Sequence, residues 1–323
     1  MSFKIALVGV DHWYTALGVL DIAKASTKVE LLGVAEPSES RRAWLAERHP
    51  DVKVEADAEK FLSGEADLVA ICAPTAQAPA LAIRALRAGS HVLSVKPPAK
   101  TLAELDEVIS AATEAGKFYG SFEGIQRLHP RALTLKKLIG DGAIGVPLSF
   151  HQVGHGGLPS PWPNEPGGAP SWWIDPAKAP GGAWIDHAVY ALDLARFVLG
   201  GEVDFRAGVL GNRLHTEMEL EDYGVSLMRL TSGASLIFED TWAAQPGAGY
   251  GRYFFLGTEG NITAEGNSWV VRRGGEETRH AIPDVPFFPL DALAEALASG
   301  APLPFGPSDA RANLAACLGV YEK

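Results

Sequence analysis

The strongest constraint in this chain is its opening rhythm: over residues 1–122, short β-branched apolar runs alternate with stretches of helical spacing. Residues 3–10, Phe-Lys-Ile-Ala-Leu-Val-Gly-Val, form a continuous apolar run of the kind found in a central strand buried on both faces. The spacing predicts helices over 15–26, 38–48, 76–88 and 101–115, and strands over 29–35, 68–73, 91–95 and 117–122. Strands separated by helices of this length run parallel, so the expected class is α/β with a doubly wound sheet. Such a sheet binds its ligand at the carboxyl ends of the strands.

Beyond residue 123 the texture changes. Gln126-Arg127-Leu128-His129-Pro130 leads into a predicted helix over 131–139, and a strand is predicted over 146–153. A Gly-, Pro- and Trp-rich stretch then runs from Gly154 to Pro180. That length without periodicity reads as a functional loop or as disorder. Trp162, Trp172, Trp173 and Trp184 favour an ordered aromatic wall, since aromatic faces stack on the C–H faces of sugars, although they also fill cores. Segments 203–214, 222–231, 234–242, 251–257 and 268–273 predict a large, mostly antiparallel open sheet, with Arg272-Arg273 in a solvated turn. Helices over 289–299 and 308–321 end the chain. The expectation is two domains, 1–122 and 123–323, the second α+β. Its open sheet needs a cover, so a homodimer or homotetramer built through that sheet is expected.

Composition narrows the partners. Asp and Glu number 39 against 28 Lys and Arg, which argues against a nucleic-acid surface. Cys72 and Cys317 lie far apart in apolar surroundings, with no spacing that suggests a metal or redox motif, so no metal is expected. No apolar run approaches bilayer length, and the N-terminal run ends at Asp11 and His12, too short for a signal peptide. The expected location is the cytoplasm, with no membrane partner.

Chemistry concentrates in Pro180-Gly181-Gly182 and the helical stretch that follows. Asp186, Tyr190 and Asp193 stand at i, i+4 and i+7, which at about 100° per residue places them in one stripe of an otherwise apolar helix. Buried, such a stripe needs partners, as a structural hydrogen-bond cluster or as a site. At the first strand end, the dinucleotide fingerprint Gly-x-Gly-x-x-Gly reads Gly9-Val10-Asp11-His12-Trp13-Tyr14, with only the first glycine present. The charge of Asp11 repels phosphate unless it turns away to cap the helix. Glu36, at the end of the second strand, suits the ribose hydroxyls of NAD, whereas Arg41 and Arg42 leave NADP open; NAD is preferred. Lys96, between a strand end and two prolines, is a positioned cation or a surface lysine, and the proline pair makes a cis peptide plausible.

Taken in order, four motifs resemble the Gfo/Idh/MocA family of NAD(P)-dependent oxidoreductases, named for glucose-fructose oxidoreductase and inositol dehydrogenase. They are Ala73-Pro74-Thr75; residues 88–97, A-G-S-H-V-L-S-V-K-P, similar to the family's A-G-K-H-V-L-x-E-K-P; Arg127-Leu128-His129-Pro130; and Gly181-Gly182 with residues 186–193, similar to G-G-G-x-x-x-D-x-x-x-H-x-x-D. The resemblance covers nearly the whole chain. It implies a Rossmann domain and a substrate domain, with Lys96 touching nicotinamide ribose and substrate, and Asp186 binding substrate. Tyr190 falls where most members carry the catalytic histidine, Val95 replaces a glutamate and Ala78 a histidine.

Lys96, Asp186 and Tyr190 are therefore the expected catalytic residues. Gly9, Asp11, His12, Trp13, Glu36, Arg41, Pro74, Thr75 and Lys96 are expected at the cofactor; Arg127, Trp172, Trp173 and His187 join the catalytic three at a sugar or polyol. An ordinary phenol titrates near 10, so Tyr190 needs a cation to move a proton, and Lys96 is expected beside it with the nicotinamide between the two halves. His187, about 100° around the helix, is a second proton carrier or a packing residue. The expected function is hydride transfer between NAD(P) and a sugar or polyol. Two alternatives are a regulatory protein that binds the dinucleotide without turnover, and a lyase or hydrolase that uses NAD transiently.

Overall fold

The computed structural model describes residues 2–163 and 171–322. The middle of the Gly-, Pro- and Trp-rich stretch, 164–170, lies outside the described residues. Two compact units divide the chain: residues 1–125, 160–180 and 286–311 form the first, and 126–159, 181–285 and 312–323 the second.

In the first unit, β1 (Phe3–Val8), α1 (Trp13–Ala25), β2 (Val29–Ala35), α2 (Glu39–Arg48), β3 (Val54–Glu55), β4 (Leu68–Ile71), α3 (Ala78–Arg87), β5 (His91–Ser94), α4 (Leu102–Ala115) and β6 (Tyr119–Ser121) alternate as expected. The strands pair in the order β3-β2-β1-β4-β5-β6, all parallel. Apolar residues on both faces of β1 and β4 are fully buried, which is why these strands read as unbroken apolar runs. The short β3 escapes sequence reading because two residues carry no period. Thr101 and Glu104 form a reciprocal capping box at the start of α4. Phe288, just before α7 (Leu290–Ser299), packs edge-on against Phe122.

The second unit holds α5 (Pro130–Gly140), β7 (Pro147–His155), α6 (Ala183–Leu199) and β8 (Val203–Gly211), β9 (Tyr223–Leu230), β10 (Ser235–Thr241), β11 (Tyr250–Gly257), β12 (Gly260–Ala264), β13 (Ser268–Arg273) and β14 (Glu276–Ala281). Its eight strands are ordered β14-β13-β12-β11-β7-β10-β9-β8 and are antiparallel except for the central β7–β10 pair. α6 lies on one face, over a core that includes Phe150, Phe238, Phe255 and Trp269. The aromatic rings of Phe150 and Phe255 stack at 4.1 Å. The other face shows solvent Phe205, Val209, Leu227 and Leu256. Helix α8 (Pro307–Tyr321) ends the described chain, with Cys317 and Val320 in this core.

One sequence expectation is corrected. Arg272 and Arg273 close strand β13, and the turn is Gly274-Gly275, both at positive φ. Their register pairs Arg272 with Glu277 and Arg273 with Glu276, so the charges are a cross-strand ladder rather than a turn. The partner strand β14, Glu-Glu-Thr-Arg-His-Ala, is an exposed edge with almost no apolar period, which hid it. Among the described residues no helix is long and apolar enough to cross a membrane.

Gly9 ends β1 at φ 75°, and a Cβ there would lie 2.8 Å from the backbone of Ala73. Left-handed strain and an overpacked contact each cost ~1–3 kcal/mol. Gly9→Ala is therefore expected to lower unfolding free energy by about 3 kcal/mol, measured by urea denaturation followed by tryptophan fluorescence.

Candidate active site

At the carboxyl ends of the parallel strands the first unit gathers most of the residues expected at a dinucleotide. The N-terminus of α1 follows His12, has no side-chain cap and carries no acidic residue in its first turn, so its amides and dipole suit an anion. Asp11 does turn away, toward an arginine rather than onto the helix start: its Oδ1 is 2.7 Å from Arg41 Nη1. The arginine offers a full charge, a stronger partner than an amide. Glu36 is buried and accepts hydrogen bonds from the amides of Ser38 (2.9 Å) and Val10 (3.1 Å), with Arg41 at 4.0 Å. Burial pushes its carboxyl up from the ordinary value, opposed first by the Ser38 amide, with Asp11 pushing further up and Arg41 down. A carboxylate has more acceptor positions than two amides fill, so Glu36 retains capacity for ribose hydroxyls. Arg42 instead donates to the carbonyls of Glu36 and Pro37.

Lys96 is only 2% exposed, and its peptide bond to Pro97 is cis. Its Nζ lies 4.5 Å from the centroid of Trp173, which stacks on Trp172 at 4.5 Å. His12 meets Trp173 edge-on, and Trp172 Nε1 donates to the carbonyl of Asp11. Trp13 Nε1 donates to the carbonyl of Ser160, while Thr75, just after Pro74, is buried with its hydroxyl donating to the carbonyl of Pro97. At Trp172 and Trp173 the aromatic residues form a buried stack, with His12 at its edge and the lysine ammonium over Trp173. These groups fit a dinucleotide: an uncapped helix start for phosphate, an acceptor at the β2 end, and a held cation at the β5 end.

In the second unit, α6 starts against Glu221. That carboxylate accepts from the amides of Gly182 (2.9 Å) and Trp184 (3.2 Å) and from the Tyr321 hydroxyl (2.7 Å). Burial pushes the Glu221 carboxyl up, and these three donors oppose it. A Cβ on Gly181 would strike the Tyr321 ring, and one on Gly182 the Glu221 carbonyl, so the glycine pair is a packing requirement of this cap.

The polar stripe of α6 separates into distinct environments. Asp193 is buried under a fork from Arg127, Nε to Oδ2 at 2.9 Å and Nη2 to Oδ1 at 2.7 Å, with Asn313 Nδ2 at 2.8 Å. Arg127, expected at the substrate, has its guanidinium on this carboxylate and beside the Phe197 ring. Tyr190 is half-buried against the apolar core. Asp186 is buried and accepts from Trp242 Nε1 at 3.3 Å. His187 lies beside it, with Nε2 3.8 Å from Asp186 Oδ2 and Nδ1 3.8 Å from Asp240 Oδ1. Asp240 is fully buried and accepts from Gln152 Nε2 at 2.8 Å. Sequence reasoning missed Gln152, Glu221, Asp240 and Trp242. One signal was present: Asp240 shares the strand parity of the core residues Leu236 and Phe238, where a carboxylate needs a reason.

Removing one member of a buried, forked ion pair costs about 3–5 kcal/mol. Arg127→Met is expected to show that loss in urea denaturation, whereas a loss under about 1 kcal/mol would free Arg127 for another role.

Comparison with known proteins agrees with the two-sheet architecture. Residues 3–122 match the oxidoreductase family with an NAD-binding Rossmann fold, and residues 132–263 match the GFO/IDH/MocA C-terminal domain. The myo-inositol 2-dehydrogenase of Thermotoga maritima is 25% identical over 240 residues, 73% of this chain and 67% of that protein. The 1,5-anhydro-D-fructose reductase of Ensifer adhaerens is 30% identical over 166 residues, 50% of this chain and only 46% of that protein. Among solved structures, the aldose-aldose oxidoreductase of Caulobacter crescentus complexed with glycerol superposes with a TM-score of 0.84 at 20% identity, covering 99% of this chain and 97% of that one. With both domain signatures present in order on the matching sheets, the chain belongs to the GFO/IDH/MocA family of NAD-binding oxidoreductases.

Proposed function

We propose that this oxidoreductase moves a hydride between NAD(H) and a secondary alcohol carbon of a sugar or polyol. The observation that carries the reading is Lys96: a buried ammonium at the end of β5, held over Trp173 in the unit with the dinucleotide fold. A lysine with no task is seldom desolvated. The nicotinamide, when bound, supplies the hydride acceptor or donor. Lys96 donates to the reacting oxygen, whose negative charge grows as its proton leaves. Asp186 accepts from a substrate hydroxyl and orients it, while Tyr190, at the position of the family's histidine, hydrogen-bonds the reacting oxygen. Glu36 accepts from the adenosine ribose and disfavours a 2′-phosphate, and Arg41 is held by Asp11, so NAD is preferred over NADP.

The names of the relatives support the substrate class: inositol, anhydrofructose and aldose are all polyhydroxylated. Cys72 and Cys317 are buried thiols outside any disulfide, which supports a reducing, cytoplasmic setting. The outward face of the eight-stranded sheet, with Phe205, Val209, Leu227 and Leu256 exposed, supports assembly of a homodimer or homotetramer through it.

Two measurements check these proposals. Tryptophan fluorescence titrated with NADH and NADPH should show tighter NADH binding, and a panel of sugars and polyols followed at the nicotinamide absorbance should give turnover that Lys96→Met lowers at least about 100-fold and Tyr190→Phe also lowers. NADH binding with no turnover across the panel would make the protein a sensor. In sedimentation, Leu227→Glu should shift an assembled species to monomer; an unchanged profile rules out this face.

A further inference from the structure

We infer that His187, oriented by the buried carboxylate of Asp240, is the side chain that exchanges the reaction's proton, so that the acid/base role in this chain sits one residue after Asp186 instead of four. The inference rests on the hydride-transfer reading above. Tyr190 leaves α6 without a histidine at the family's position, yet the same helix puts an imidazole against Asp186, the carboxylate proposed to hold the substrate hydroxyl.

Three observations assign the role. First, His187 is the only one of the cluster's titratable groups open to solvent: its side chain is 46% exposed, against 7% for Asp186 and 0% for Asp240. A proton released into a pocket must reach water, and an imidazole at the rim provides that route. Second, the two ring nitrogens face different carboxylates, Nδ1 toward Asp240 Oδ1 and Nε2 toward Asp186 Oδ2, each at 3.8 Å. That distance gives electrostatic attraction rather than a formed hydrogen bond. Asp240, fixed in place, favours a proton on Nδ1, which leaves Nε2, on the side of Asp186, as the nitrogen that exchanges one. Third, Asp240 is itself fixed: Gln152 Nε2 donates to the same oxygen at 2.8 Å, and a Cβ on Gly154 would strike that carboxylate, so the strand is shaped around it.

Among the described residues, the charged groups beside His187 within its unit include Asp186 on its own helix and Asp240 on β10, with the phenol of Tyr253 on β11 close enough to feel Asp240. The flanking strands β7 and β9 present Gln152, Gly154, Gly224 and Ser226 on that face, all uncharged. In the oxidising direction the hydroxyl proton passes to Nε2 as the carbon–oxygen double bond forms, and the hydride leaves that carbon with both bonding electrons for the oxidised nicotinamide. The imidazolium then gives its proton to water. In the reducing direction the imidazolium donates.

The test uses the full-length protein and two readouts. Imidazole resonances followed by NMR through a pH titration, with His187→Gln to assign the signal, should show the His187 midpoint falling in Asp240→Asn, because a neighbouring anion that favours the imidazolium is gone. Asparagine keeps the size and the oxygen that Gln152 binds. With the sugar that the wild type oxidises, His187→Gln should lower kcat at least about 100-fold with little change in KM, and should abolish the acidic limb of the pH profile. Asp240→Asn should move that limb to lower pH, and Tyr190→Phe should keep it. An acidic limb that survives His187→Gln, or a His187 midpoint unmoved by Asp240→Asn, overturns the assignment while leaving hydride transfer standing. Normal NADH binding without wild-type turnover of any sugar defeats the hydride-transfer reading instead.

Discussion

The second unit depends on one constraint: α6 is buried on most of its circumference and still carries Asp186 and Asp193. A buried carboxylate without a partner would cost more than any single contact in the core returns. Each is therefore matched from elsewhere in the chain, Asp193 by Arg127 and Asn313, and Asp186 by Trp242. The helix start adds a third match, since Glu221 takes up the amides of Gly182 and Trp184 that a helix N-terminus leaves orphaned. These pairings set the rotation of the helix, and with it the side on which His187 and Tyr190 emerge.

The first unit solves a related problem with cations. Lys96 loses most of its hydration, and part of the loss is offset by the quadrupole of Trp173. Asp11, which would weaken phosphate binding at an incomplete glycine fingerprint, is neutralised by Arg41. The charge that stands in place of the second glycine is thus answered locally. The one glycine retained, Gly9, is the one whose replacement would collide with Ala73. Steric demand inside the sheet, more than approach of a ligand, accounts for it.

Legibility followed physical range. Long apolar strands and amphipathic helices announced themselves, and the observed ends of the main elements fall within a few residues of the expected ones, as with α4 and β13. Three strands were silent: β3 is two residues long, β14 is polar along most of its length, and β12, five residues around the buried Ile262, is too short to show a period. In the site, the stripe Asp186, Tyr190 and Asp193 was visible from spacing on one helix. Asp240 and Trp242 were not, because a strand residue's partner depends on which helix lies over it. The return of residues 160–180 and 286–311 to the first unit had no local signal either.

By itself, the sequence determined the alternating α/β unit, the later antiparallel sheet, and the presence of a buried polar helix, because each follows from periodic burial within a few turns or a few strand residues. Only the tertiary structure decided which charge answers which. Arg127 and Asp193 are 66 residues apart and Trp242 and Asp186 are 56 apart, and Asp11 lies between Arg41 and the Trp172 indole. Pairings over such distances are selected by the desolvation of the whole ensemble of neighbours, and no stretch of chain encodes that alone.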